Sequence, residues 1–268
     1  MPELAEVEYF RKRWDAGVGD VVRRVQVHAG KRVFRGSDVQ ALRKRLVRQK
    51  LLRSSARGKQ MLFEFSGGNW LGIHLGMTGN LRVERAGFRP EKHDHLVLAQ
   101  AGRSLVFKDA RQFGRVRFHH GAEAPDWWQA SAPEITSRAW TPAALAKFLQ
   151  RHGRAPIKAV LLLQQGFPGI GNWMADEILW RARIAPQTKT GKLTASKVDA
   201  LWRETRFVAR ASLRTIGRDD SDAPKNWLLH ERWRAGGKCP RDGSTLRRAT
   251  IGGRTTAWCA KCQRGSDC

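Results

Sequence analysis

The chain begins Met1-Pro2-Glu3-Leu4-Ala5-Glu6-Val7-Glu8, and trimming the methionine would leave Pro2 as a secondary amine beside a carboxylate. Methionine ahead of a small residue such as proline is commonly removed. A free amine attacks an aldehyde-like carbon and forms an iminium, an electron sink for the bond cleavage that follows. Glu3 and Glu6 lie close enough in sequence to move protons in such chemistry, and Glu6 is better suited to orienting the turn. The same residues also read as an ordinary helix start, since proline suits the first turn and early glutamates suit the helix dipole.

Further residues offer anion and base recognition. Gly169-Ile170-Gly171-Asn172 is a glycine-rich turn entering a helix, where backbone amides and the Asn172 side chain could hold a phosphate. An ordinary helix-hairpin turn has the same composition. Lys59, in Arg57-Gly58-Lys59-Gln60, is either a phosphate contact near a reacting sugar or a solvated lysine at a strand edge. Met77, Arg111 and Phe113 sit beside Gly76, Gly79 and Gly114. Brought to one face, these side chains could fill the space left by an extruded base; otherwise the Met and Phe are core.

All four cysteines fall late: Cys239, Cys259, Cys262 and Cys268. Cys259-Ala260-Lys261-Cys262 has zinc-ligand spacing. Its partner is Cys239-Pro240-Arg241-Asp242, where an aspartate oxygen can complete a tetrahedral site, with His230 and Cys268 as possible substitutes. Arg254 lies between the halves, near the tip of an expected β-hairpin. There it could reach a DNA groove or remain a surface arginine.

The elements that must position these residues divide the chain. A helix is expected over Glu3–Trp14 and a short one over Ser37–Leu46. Strands are expected at Val21–Val27, Gln60–Phe65, Trp70–Leu75, Gly79–Arg85, His95–Leu98, Ser104–Lys108 and Gly114–His119. Many short strands with glycine turns indicate a sandwich or barrel. Helices follow at Ala143–Arg151 behind a Thr141-Pro142 cap, at Ile157–Leu162, after Asn172, and from Ala195 to about Thr215. The last 30 or so residues are too few for an apolar core and require a metal staple.

Charge narrows the partners. Fifty Lys and Arg against 24 Asp and Glu give a formal charge of +26 in 268 residues, which calls for nucleic acid or an acidic membrane face. The N-terminus carries glutamates rather than an apolar run, so it does not read as a secretory signal. The longest aliphatic stretch, Val160–Leu163, is too short to span a bilayer. A cytoplasmic, nucleoid-associated location is expected, which favours metal binding over disulfides.

The chain resembles the bacterial formamidopyrimidine-DNA glycosylase and endonuclease VIII family along essentially its whole length, and looks more like the formamidopyrimidine branch. The resemblance rests on Pro2-Glu3-Leu4, Arg57-Gly58-Lys59, Ile73-His74-Leu75-Gly76-Met77-Thr78-Gly79, Lys92-His93-Asp94-His95, Asp109-Ala110-Arg111-Gln112-Phe113-Gly114, Gly169-Ile170-Gly171-Asn172-Trp173-Met174-Ala175-Asp176-Glu177 and the terminal CxxC. It implies an α+β chain: an N-terminal β-sandwich with flanking helices (1–125), a linker (126–137), a helix-two-turn-helix domain (138–228) and a zinc-finger-like hairpin (229–268). It further implies a glycosylase and abasic-site lyase acting, as a monomer and away from membranes, on double-stranded DNA with damaged bases or abasic sites. Pro2 would be the nucleophile, Glu3 its acid/base partner and Lys59 a catalytic phosphate contact. Met77, His93, Arg111, Phe113, Asn172 and Arg254 would bind DNA. One structural zinc per chain would be held by Cys239, Asp242, Cys259 and Cys262. Two positions depart from the family pattern: Ala5 stands where a second proline is usual, and Asp242 where a cysteine is usual. The altered finger leaves a DNA-damage binding protein with weak turnover as the alternative reading. An RNA-associated structural protein would suit the charge but leaves Pro2-Glu3 unexplained.

Overall fold

The structure is a computed structural model and describes residues 1–264, so Cys268, a candidate ligand above, lies outside the described residues. The chain divides into two compact units, one of Met1–Pro2 and Glu6–Ser131, the other of Glu3–Ala5 and the residues from Ala132 onward.

In the first unit, short apolar runs such as Leu105-Val106-Phe107 build central strands that are buried over most of their length. The elements run α1 (Leu4–Arg13), β1 (Arg24–Val27), α2 (Val39–Leu46), β2 (Leu51–Arg57), β3 (Gln60–Phe65) and β4 (Asn69–His74). They continue with β5 (Asn80–Arg85), β6 (Asp94–Ala99), β7 (Arg103–Lys108), β8 (Arg115–His120) and a short α3 (Asp126–Gln129). Two four-stranded antiparallel sheets form, ordered β1-β6-β7-β5 and β2-β3-β4-β8. Phe63, Leu71 and Ile73 of one sheet share a core with Leu96, Leu98, Leu105 and Phe107 of the other, joined by Trp14 and Leu42. This is the expected sandwich.

Three local expectations are corrected. The first helix tightens at Trp14 into a 3-10 turn, Trp14–Gly17, because Trp14 is driven into the sandwich core. Strand β2 was not foreseen: it is an edge strand whose middle, Arg53-Ser54-Ser55, is polar and lacks the apolar alternation of a half-buried strand. Part of the expected linker is packed structure. Trp128 of α3 buries against Leu62 and Trp70, and the adjacent Trp127 lies so close to Gly72 that a Cβ there would stand 2.5 Å from its ring.

In the second unit, α4 (Pro142–Arg151) starts behind Thr141, whose side chain accepts the Ala144 N–H as an N-cap. Then come α5 (Ile157–Leu161), α6 (Asn172–Arg181), α7 (Ala195–Arg214), α8 (Ile216–Asp219) and the hairpin β9 (Arg247–Ile251) and β10 (Arg254–Trp258). Ile157, Val160, Ile170, Met174, Ile178, Leu201 and Val208 form the helical core. The hairpin region contributes to a second, smaller apolar cluster. Cys239, Leu246 and Cys259 pack on Trp180 of α6 and on Leu228.

Candidate active site

Pro2 is half-buried, two residues before the start of α1. Glu3 is 3 % exposed, and its carboxylate accepts three backbone N–H groups, from Gly171 (2.9 Å), Trp173 (2.9 Å) and Met174 (3.0 Å). The N-terminus of α6 therefore does hold an anion, as its sequence suggested, but the anion is this protein's own carboxylate. The amide cradle expected for a phosphate is corrected on that account. Gly171 is required by the approach, because a Cβ there would lie 2.3 Å from Glu3 Cδ. Leu4 N–H donates to the Gly169 carbonyl at 3.0 Å and fixes the same turn. A helix N-terminus suits a carboxylate electrostatically, so Glu3 is pinned in orientation as well as buried.

Lys59 lies in the turn joining β2 and β3, which Gly58 makes with a left-handed backbone (φ 57). The next residue, Gln60, pairs in register with His74 of β4. Burial, followed by the charges of Lys59, Arg117 and Arg35, pushes the His74 imidazole down to about 4. It is neutral at neutral pH, and its Nδ1 accepts the Gly76 N–H at 3.0 Å. The ring proton is then on Nε2, a donor beside Lys59 in a strongly cationic corner. Sequence reasoning gave His74 no role; the pairing across β3 and β4 is what singles it out.

Met77, Arg111 and Phe113 are brought together. Their loops approach so closely that a Cβ on Gly76 would lie 2.4 Å from the Gly114 nitrogen. Buried Asp109 ties both loops, accepting from Thr78 Oγ1 (2.8 Å), Arg111 N–H (3.3 Å) and Gly114 N–H (2.7 Å). The Arg111 guanidinium stacks over the Phe113 ring at 4.8 Å, and Phe113 is 40 % exposed. An exposed phenylalanine on a braced loop is not core material, so the core reading does not hold for Phe113. His93 is half-buried just before β6, and its carbonyl accepts the Asp109 N–H at 3.0 Å. Asp109 belongs to one of the family motifs, yet its organising role could not be read from spacing.

Asn172 and Arg254 are also neighbours. Asn172 opens α6, and its Nδ2 donates to the Thr255 carbonyl at 2.9 Å. Arg254 is exposed at the first position of β10, directly after the Gly252-Gly253 turn (φ 60 and 72). Gly252 rests on α5, where a Cβ would lie 2.8 Å from the Ala159 methyl. Beneath this corner is a buried ion triad centred on Asp176. Its carboxylate pairs with Lys158 (2.5 Å) and Arg232 (2.6 Å) and accepts the Ala257 N–H (3.1 Å), while Lys158 also donates to the Asn172 carbonyl (2.8 Å). The triad locks α5, α6 and β10 together.

The four expected metal donors converge. Donor atoms of Cys239, Asp242, Cys259 and Cys262 all lie within 4.8 Å of one another. Ligands around a tetrahedral zinc stand about 3.8 Å apart when both are sulfur and about 3.5 Å apart for sulfur and oxygen. Cys239 Sγ and Cys262 Sγ are 3.8 Å apart, and Asp242 Oδ2 is 3.5 Å from Cys259 Sγ and 3.3 Å from Cys262 Sγ. The other oxygen, Oδ1, accepts from Ser244 Oγ (2.6 Å) and Ser244 N–H (2.9 Å), which hold the carboxyl below the usual carboxylate range. Three sulfurs and one oriented oxygen fit a tetrahedral, borderline-soft cation. His230 is engaged elsewhere, its Nε2 bonded to the Ala223 carbonyl at 3.0 Å.

A β-sandwich, a helical unit with a buried carboxylate at a helix N-terminus, and a Cys/Asp hairpin are together the frame of a DNA-repair glycosylase. The formamidopyrimidine-DNA glycosylase N-terminal domain matches residues 1–116 and the formamidopyrimidine-DNA glycosylase H2TH domain matches residues 132–221. Formamidopyrimidine-DNA glycosylase of Roseiflexus sp. is 38% identical over 219 residues, spanning 78% of this chain and 79% of that protein. The Lactococcus lactis Fpg (MutM) bound to DNA containing N7-benzyl-Fapy-dG superposes with a TM-score of 0.88 at 26% identity, covering 98% of this chain and 100% of that one. The same enzyme bound non-covalently to DNA with an AP site gives 0.86 at 26% identity, over 98% and 99% of the two chains. The chain belongs to the formamidopyrimidine-DNA glycosylase family.

Proposed function

We propose that Pro2, freed by removal of Met1, is the nucleophile of this glycosylase and that Glu3 moves its protons. The chain is a bifunctional enzyme that excises oxidised and formamidopyrimidine purines from DNA and nicks abasic DNA. The unprotonated Pro2 nitrogen attacks C1′ as the damaged base departs, giving a ring-opened iminium. Glu3 assists ring opening and the later proton transfers. Elimination of the 3′ phosphate, then of the 5′ phosphate, leaves a one-nucleoside gap. The reading is carried by the Glu3 carboxylate, fixed by three backbone N–H groups one residue from the amine. A carboxylate held this firmly loses little entropy on reaching the reactive arrangement.

In this reading Lys59, with His74 beside it, holds a phosphate near the reacting sugar. Asn172 and Arg254 hold further phosphates, and Met77, Arg111 and Phe113 occupy the space of the extruded nucleotide, with His93 supporting the same loops. One structural zinc per chain is held by Cys239, Cys259, Cys262 and Asp242 Oδ2, and supplies a cross-link to a segment without an apolar core. The working location is the cytoplasmic nucleoid, where the substrate is.

Single-turnover cleavage of duplexes carrying a formamidopyrimidine, 8-oxoguanine or an abasic site tests the function. Strand products with phosphate on both ends are expected. Tight binding without cleavage on all three would instead establish the damage-binding alternative.

A further inference from the structure

A cavity of about 770 Å³ opens beside the Cys/Asp cluster, lined by Arg183, Lys197, Arg241, Lys261 and Arg264 among others. Among the described residues that line it, Asp242 alone is acidic, and its carboxylate is engaged by Ser244 and the cysteine cluster. Arg241 donates to the carbonyls of Trp180 (2.7 Å) and Arg181 (3.2 Å) and stacks on the Trp180 ring at 4.0 Å. Lys197 donates to the Arg183 carbonyl at 2.9 Å. These bonds orient Arg241 and Lys197 through backbone carbonyls, which do not neutralise them. Arg183 itself holds a left-handed backbone (φ 53) just past the end of α6, where a glycine would be the unstrained choice. Its Cβ-bearing side chain is kept there at a conformational cost.

The cavity is separate from the Asn172 and Arg254 corner. Asn172 is the first residue of α6 and the cavity lies past its last, a span of about 15 Å for 10 residues. Arg254 is at the hairpin tip, whereas Cys262, which lines the cavity, is beyond the hairpin's base. Concave cationic surfaces focus potential and attract polyanions, and this volume exceeds what one phosphate fills. We propose that this cavity binds a run of consecutive phosphates, supplied by a nucleic-acid strand outside the lesion duplex or by a free oligophosphate.

The test uses the full-length protein saturated with an abasic-analogue duplex, titrated calorimetrically with tripolyphosphate and, separately, with a short single-stranded oligothymidylate. At least one probe is expected to bind the saturated protein, and which one binds identifies the source. The triple variant Arg183→Gln, Lys261→Gln, Arg264→Gln should weaken that binding about tenfold or more, with the oligothymidylate salt slope falling by about two. Its nicking of abasic duplex should be unchanged, which also reports that it is folded. If neither probe binds the saturated protein, or if binding survives the triple variant, the proposal is overturned. Failure of the duplex to bind at all would count against the proposed function instead, and tripolyphosphate binding to the free protein would still decide the cavity.

Discussion

Asp242 stands where a thiolate would be expected, and Ser244 orients its carboxylate. Two hydrogen bonds to Oδ1 leave Oδ2 aimed at Cys259 and Cys262. Outer-sphere partners of this kind typically account for 10- to 100-fold in metal affinity, roughly. Protein purified without added zinc should hold about one equivalent, and Ser244→Ala should lose it to a chelator about tenfold faster, with Asp242→Ala losing it faster still. Retention of zinc by Asp242→Ala equal to that of the parent would remove the carboxylate from the site. At this scale the sequence was informative where chemistry needs an unusual residue type: Pro2 and Glu3 stood out by type and position, and the convergence of the Cys/Asp set was legible from its spacing. It was silent on Asp109, His74 and Ser244, since their roles arise from a loop approach, a strand register and a side-chain bond within a turn.

Buried Asp176 pairs with Lys158 and Arg232, so removing its charge strands two cations in a low-dielectric setting. Asp176→Asn should lower unfolding stability by about 3–5 kcal/mol, measured by denaturant melts, and weaken the hold on DNA by releasing the Asn172 and β10 corner. A melt indistinguishable from the parent would show that the triad is not what joins α5, α6 and β10. Its members are far apart in sequence, so no local pattern announced it. Helix α4 was legible because the Thr141-Pro142 cap precedes it, and α7 because its stretch is long and periodic; its Thr194 cap is seen only in the structure. Strand β2 was not, because an edge strand with solvent on one side needs few apolar residues. The packed part of the expected linker was hidden for the opposite reason: Trp127-Trp128 is too short a run to show any period.

For the whole molecule, the excess of 26 positive charges makes association with DNA a counterion-release process. Arg254→Ala should reduce the salt slope of binding by about one, whereas Asn172→Ala should weaken binding with little change in slope; an unchanged slope for Arg254→Ala would take it out of the clamp. Stability should also depend on pH through Glu177, whose carboxyl is pushed up from 4.5 to about 7, chiefly by burial. The folded chain therefore binds this proton more tightly than the unfolded chain. Its contribution is fully present below 4.5 and is lost as pH rises through 7. Glu177→Gln should thus flatten the fall in melting temperature across that window, and parallel curves for the two proteins would contradict the assignment. The central claim is covalent chemistry at Pro2, and borohydride trapping tests it most directly. Intact-mass analysis should first show a chain lacking Met1. Reduction during turnover on abasic or lesion-containing duplex should then yield a protein–DNA adduct that peptide mapping places on Pro2. An adduct on an internal lysine, a retained Met1 in active protein, or cleavage without any trapped species would contradict the account.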